Sequence, residues 1–139
     1  MIITTTAHPT VLLGPGSRRI RVRCLARRGM LHSETEAVDH VRLSPGACFD
    51  LTGREETEAA WYVLRGPVAL LPVRVGAATP STAEGRQPLN RGDLLLAPRG
   101  ELVHLHAGPF GAELLCLTLT PAAATAQLPP RRPDLRGQP

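Results

Sequence analysis

Lysine is absent from this 139-residue chain, so all sixteen of its basic side chains are arginines. The formal net charge is +4 at pH 7, but six arginines lie between residues 18 and 28 and three more follow residue 130. A nucleic-acid-binding protein would carry a basic face interleaved with aromatic residues, or a recognition helix, and the sequence shows neither pattern. We therefore expect no nucleic-acid partner.

Cysteines are few, and long apolar runs are missing. The three cysteines stand far apart without a CxxC pair, which argues against a disulfide framework and a cysteine-based zinc site. No apolar stretch approaches the ~20 residues that a membrane-spanning helix needs. The first residues lack the basic and apolar regions of a signal peptide. We expect a soluble, cytoplasmic protein without membrane contact.

Aromatic residues form only 3% of the chain, against 42% hydrophobic residues. The core must therefore be built mainly from Leu, Val and Ala, and the adjacent Trp61 and Tyr62 stand out. Residues 20–25 alternate apolar and basic side chains, which is typical of a strand with one buried face, and Leu94–Ala97 is an apolar run that suits a strand buried inside a barrel. No long amphipathic helix is visible, and the length fits one domain. The sequence predicts an all-β domain.

A turn, an apolar strand, a second turn and a histidine follow one another from Gly92 to His104. Gly92 and Asp93 signal the first turn, because glycine accepts positive φ and aspartate bonds its own backbone. This pattern resembles the second conserved motif of the cupin superfamily. Residues 43–46, with their Pro-Gly turn, and residues 61–66, an apolar strand closed by glycine, fit the frame of the first cupin motif.

The resemblance implies a jelly-roll barrel, the double-stranded β-helix of cupins, over residues 20–120. Residues 1–19 would form an N-terminal extension that is available for exchange between the subunits of a homodimer. The Pro- and Arg-rich residues 121–139 have a composition that does not pack, and we expect a disordered tail there. The partner that such a barrel implies is a small molecule.

The metal ligands of the family are mostly missing from the matching positions. Metal-binding cupins carry a His-x-His pair and a glutamate in the first motif, and a third histidine in the second. Here Thr52 and Arg54 stand at the paired positions, and Ala59 stands at the glutamate position. His104 lies one residue late, so either its strand carries a bulge or Val103 occupies the ligand position. A transition-metal site usually needs about three protein ligands. The sequence therefore predicts no metal cofactor.

Three residues are candidates for catalysis. His104 would point into the barrel if the bulge exists, and imidazole titrates near neutral pH, so it could serve as a general acid or base. Tyr62 could offer a phenol to a substrate. Glu58 could orient a histidine, as carboxylates next to a reacting group often do.

Four further residues are candidates for substrate binding. His106 shares a strand face with His104, and Trp61 could stack on a ligand, although alternation allows only one of Trp61 and Tyr62 to face inward. The Arg54 guanidinium, at one of the paired positions of the first motif, could bind an anionic group, and His40 could line the cavity. The candidates are Arg54, His106, Trp61 and His40.

Three functions remain open at this level. The first is a metal-independent accessory enzyme of small-molecule or secondary metabolism that catalyses proton transfer, such as isomerisation, cyclisation, dehydration or a lyase-type elimination. The second is a dioxygenase-like cupin that uses Fe, Mn, Ni or Zn with displaced ligands, His104, His106 and either Glu56 or Glu58. The third is a barrel that binds a ligand, or senses it, without catalysis.

Overall fold

A computed structural model of the chain describes residues 11–14, 18–28, 30, 35–52, 57–71, 85–99 and 102–120. Within these ranges every regular element is a strand, so no helix suited to crossing a membrane occurs there. The predictions for Arg54, Glu56 and the tail concern residues outside these ranges. The strands are β1 (Val11–Leu13), β2 (Ile20–Arg27), β3 (Thr35–Leu43), β4 (Cys48–Thr52), β5 (Glu58–Arg65), β6 (Val68–Leu71), β7 (Gln87–Leu89), β8 (Leu94–Ala97), β9 (Leu102–Ala107) and β10 (Ala112–Leu119).

The strands form two antiparallel sheets, which confirms the predicted all-β class. The larger sheet has six strands in the order β1-β2-β3-β10-β5-β8, and the smaller has four in the order β4-β9-β6-β7. Strand β1 pairs with β2 of the same chain. Neighbours such as β3 and β10 are distant in sequence, so the sheets are assembled by long-range pairing.

The core lies between the inner faces of the two sheets. Val41, Val63 and Leu114 come from the larger sheet and Leu105 from the smaller, and each is at most 1% exposed. Side chains alternate along a strand, so these residues fix which face of each strand points inward. On β5 the inward residue is Trp61, not its neighbour.

The apolar run Leu94–Ala97 does not have the burial that its composition predicts. Strand β8 is the edge of the larger sheet, and only one of its faces meets the core. Leu94 and Leu96 are 56% and 64% exposed, whereas Ala97 is buried. Composition alone cannot distinguish a strand covered on both faces from an edge strand that carries leucines on its open face.

The predicted turn before this strand is present. Gly92 has a φ of +94°, a value that glycine accepts without steric cost. The Asp93 carboxylate accepts a hydrogen bond of 2.7 Å from the Asn90 backbone N–H. The Gly92 N–H donates to the Val63 carbonyl at 2.9 Å, which fastens the turn to β5.

Candidate functional site

One row of residues crosses the inner face of the larger sheet and carries polar groups. Cys24, Asp39, Cys116 and Trp61 are successive cross-strand partners on β2, β3, β10 and β5. Directly opposed residues of antiparallel strands share a face. Because Cys116 and Trp61 belong to the buried core, the whole row faces the space between the sheets. We call these four residues the interior row.

Asp39 carries the carboxyl group of the interior row. Its Oδ1 atom is buried and has no hydrogen-bond partner among the described residues. Burial raises the pKa of this carboxyl, because the charged form is poorly solvated there. The positive charge of Arg27 and a hydrogen bond with the Cys24 thiol only partly oppose the rise. A carboxyl group in this state can release and recover a proton closer to neutral pH than an ordinary aspartate can.

The two thiols of the row remain protonated. Burial raises the pKa of Cys116 to about 12, although its Sγ lies 3.7 Å from the Thr118 hydroxyl. Burial also raises the pKa of Cys24, whose thiol donates to the Ala26 carbonyl at 3.3 Å. The thiolate is the nucleophilic form of cysteine, so neither residue is activated for covalent chemistry. They line the interior as small, weakly polar groups.

Trp61 supplies a donor at the other end of the row. The side chain is 4% exposed, and its ring meets Phe49 of the smaller sheet edge to face, with centroids 5.6 Å apart. Its Nε1 atom is buried and has no acceptor among the described residues. Buried indole N–H groups usually have a partner, so an acceptor brought by a ligand would complete this one.

The two polar groups of the interior row that have no partner atom among the described residues lie two strands apart. Asp39 and Trp61 lie on β3 and β5, with β10 between them. Two strand spacings correspond to about 10 Å between backbones. The Asp39 carboxyl and the Trp61 N–H therefore face the same space between the sheets, with the Cys116 thiol on the strand between them.

The predicted histidines on β9 lie on a different surface. The pairing of β9 with β4 keeps a regular register across residues 102–106, with no bulge. Leu105 is fully buried in the core, so His104 and His106 lie on the opposite, outer face of the smaller sheet. Of the two alternatives for this strand, the register therefore favours the one without a bulge, in which position 103 and not His104 shares the inward face with Leu105.

Three other candidates lie on the outer face of the larger sheet. The His40 Nε2 atom is 2.6 Å from the Glu113 carboxylate, and the Arg42 Nε atom donates to the same oxygen at 3.1 Å. Burial acts to raise the pKa of Glu113, but the hydrogen bonds and charges of Arg42 and His40 outweigh it and hold the pKa below its usual value. Tyr62 is 42% exposed and Glu58 is also exposed. Within the described residues, only Trp61 among the sequence candidates belongs to the interior row.

Sequence reasoning missed Asp39, although a signal was present. Residues 37, 41 and 43 are apolar and stand in phase with residue 39. All three are buried in the structure. An aspartate at the position between two buried residues of one strand face is unusual, because carboxylates are rarely buried without a partner. The link to Cys116 was not visible, since it depends on a pairing between distant strands.

The described residues do not fit a transition metal. No group of three His, Cys, Asp or Glu side chains within the described ranges is arranged to hold one. The displaced ligand set with Glu58 is not assembled either. Its histidines lie on the outer face of the smaller sheet, whereas Glu58 begins β5 on the outer face of the larger sheet.

Known structures resemble this architecture. A protein of Thermotoga maritima described as a predicted oxalate decarboxylase matches with a TM-score of 0.67 and 15% identity, over 87% of this chain and 100% of its own. KdgF from a Halomonas species matches with a TM-score of 0.61 and 16% identity, over 90% and 97%. An RmlC-like cupin from Shewanella frigidimarina matches with a TM-score of 0.53 and 15% identity, over 90% and 99%.

No protein-family profile and no curated protein sequence matches the chain. The likeness is therefore one of structure at low sequence identity, and it concerns the fold.

Proposed function

We propose that this chain, which has the jelly-roll barrel fold of cupins as its sequence predicted, is a small-molecule cupin. It would move a proton on an organic ligand held between its sheets. The reaction would be an isomerisation, cyclisation, dehydration or lyase-type elimination that proceeds without a metal. The observation that carries the proposal is the Asp39 carboxyl of the interior row, which is half-buried, has one buried oxygen that bonds to no described residue, and has a raised pKa.

Each role follows from the chemistry of the group. Asp39 takes a proton from carbon or oxygen of the ligand and returns it elsewhere, since a carboxyl with a raised pKa is a stronger base than an ordinary aspartate and can still act as an acid. The Trp61 N–H donates to a ligand oxygen and stabilises negative charge that develops there. The protonated thiol of Cys116 lines the space between them without reacting.

The proton-carrying role goes to Asp39 and not to His104. A general base must lie within hydrogen-bond reach of the proton that it removes. His104 lies on the face of β9 opposite to the buried Leu105, which separates it from a ligand inside the barrel. Tyr62 and Glu58 are likewise on an outer face.

The test is proton–deuterium exchange at carbon in D2O, followed by proton NMR. A panel of small hydroxyketones, 2-oxo acids and lactones covers compounds with a mobile C–H beside a carbonyl. Compounds that shift the Trp61 indole N–H signal are those that enter the barrel, and these are incubated with the protein in the presence of EDTA. We expect catalysed exchange that falls by roughly a hundredfold in Asp39→Asn, the usual scale of general acid–base catalysis.

The matched control is Asp93→Asn. It removes an exposed carboxylate from the turn before β8 and keeps an oxygen for the Asn90 N–H. Exchange should be unchanged in this variant. Equal exchange in Asp39→Asn and wild type would overturn the proposal, and so would exchange that EDTA abolishes and a metal restores. A compound that binds in the barrel but never exchanges would instead assign the protein to non-catalytic ligand-binding barrels.

A further inference from the structure

A concave surface lies on the outer face of the smaller sheet, away from the interior row. It is an open cleft with a volume of about 660 Å³, and its lining includes Pro67, Ala69, Pro88, Pro109, Arg86 and His106. We call it the outer cavity. Its size falls within the range of pockets that hold small molecules.

The floor of the outer cavity is built by three neighbouring strands. Pro88, Ala69 and His106 are successive cross-strand partners on β7, β6 and β9. The methyl group of Ala69 is much smaller than the rings on either side of it, so the row is lowest at its centre. The cavity therefore has an apolar base with an imidazole at one side.

Backbone contacts hold one end of the cavity together. The Gly108 N–H donates to the Pro67 carbonyl at 3.1 Å, and the Gly46 N–H donates to the Gly108 carbonyl at 3.3 Å. A Cβ atom at Gly108 would lie 3.1 Å from the Pro67 carbonyl oxygen, so glycine permits this close approach. The wall is formed by packed backbone and proline rings, which lose little conformational freedom when a ligand binds.

The electrostatic character of the cavity is positive. Burial lowers the pKa of His106, and the charges of Arg86, Arg18 and His104 lower it further. All the charged groups that act on this imidazole among the described residues are cationic. No carboxylate lines the cavity among the described residues, and a positively charged concave surface attracts anions.

We propose that the outer cavity binds a small organic carboxylate with an apolar body. The carboxylate contacts Arg86 and His106, and the hydrocarbon part lies on Ala69 and the surrounding prolines. A guanidinium matches a carboxylate with two parallel hydrogen bonds. The site is separate from the interior row, because His106 and the buried Leu105 lie on opposite faces of β9.

The test is titration of the full-length protein with octanoate, and with octanamide as an uncharged analogue of the same shape. Backbone NMR signals report where each compound binds, and calorimetry gives the affinity. We expect octanoate to shift the signals of Ala69, His106 and Gly108. We expect the affinity for octanamide to be at least roughly tenfold lower than that for octanoate. The affinity of Arg86→Gln for octanoate should fall by a similar factor, because the ionic contact is lost in each case.

Two variants separate this site from others. Arg21→Gln removes an exposed arginine from the larger sheet and should leave octanoate binding unchanged. Ala69→Leu fills the centre of the floor without changing charge and should abolish binding. Equal affinity for octanoate and octanamide would overturn the ionic contact, and binding that survives Ala69→Leu would overturn the location.

The interior site is tested independently by Asp39→Asn. Octanoate binding should be unchanged in this variant. If octanoate instead shifts the Trp61 indole signal and depends on Asp39, it enters the barrel, and the proposal for the outer cavity fails while the proposed function gains support. If proton transfer fails but octanoate still binds at Ala69, the outer cavity stands without the proposed function.

Discussion

The ionisation of Asp39 makes the stability of the protein depend on pH. Its pKa is raised in the folded state above the ordinary value of 3.8, chiefly by burial. Between the two values the folded chain retains a proton that the unfolded chain has lost. The free energy of unfolding therefore decreases as the pH rises through this window, and it stays lower above the folded pKa.

Asp39→Asn should remove this dependence. We expect the variant to melt at a higher temperature than wild type at about pH 7, with a smaller difference at about pH 3, where Asp39 is protonated in both states. Calorimetry at both pH values measures the difference. A gain of the same size at both values would show that the carboxylate charge is not its cause. A stability gain combined with lost proton transfer is the usual trade-off at a reacting group.

The turn before β10 requires glycine at position 111. Its φ is +75°, and an added Cβ would lie 2.5 Å from the Leu43 carbonyl oxygen. Gly111→Ala should lower the free energy of unfolding by about 3 kcal/mol, because left-handed strain and a backbone clash add together.

Gly46 provides the matched control for this substitution. It has a similar φ of +68°, but an added Cβ meets nothing within 4 Å. Gly46→Ala should therefore cost only about 1 kcal/mol, the strain alone. Urea unfolding of both variants gives the two values, and equal losses would contradict the clash.

At the scale of the elements, the outer faces of β3 and β10 are joined by a charged cluster. The Glu113 carboxylate on β10 accepts a hydrogen bond from Arg42 and contacts His40, both of which lie on β3. Its pKa lies below the usual value, so the cluster stabilises the fold above the ordinary glutamate pKa of 4.5, and this stabilisation is lost as the pH falls through the folded pKa. Glu113→Gln should lower the urea midpoint at about pH 7 and leave it unchanged at about pH 2. A loss at both pH values would indicate a packing defect instead.

The elements themselves were largely predictable, whereas the site was not. Alternation from Ile20 predicted β2, and the Gly92 turn located β8. These are local signals, because period-two burial and turn chemistry are written in neighbouring residues. The interior row depends instead on which strands become neighbours. Asp39 and Cys116 are far apart in sequence, and only the pairing of β3 with β10 brings them together.

The inward face of a strand is also ambiguous in the sequence when a bulge would exchange its two faces. Strand β9 has Leu105 on one face and His104 and His106 on the other, and a single bulge would exchange them. No residue type marks the presence or absence of that bulge. The direction of the two histidines could therefore be decided only by the register of the folded sheet.

At the scale of the whole molecule, the predicted homodimer remains to be tested. Leu94 and Leu96 are exposed on the outer face of β8, and Tyr62 and Leu64 are exposed on the same face of β5. Exposed apolar clusters of this kind are typical of protein interfaces. Light scattering should give the mass of two 14.9 kDa chains for wild type. The pair Leu94→Glu and Leu96→Glu should give the mass of one folded chain, and a dimer that survives both changes would place the interface elsewhere.

The chain contains a single tryptophan, and the fold places it at the interior row. All indole emission of the native protein therefore comes from one point between the sheets, beside the Cys116 thiol. Water entry should move that emission to longer wavelength, and an occupant that excludes water should move it to shorter wavelength. The protein is thus its own optical probe, and the filling of its barrel can be followed without any added label.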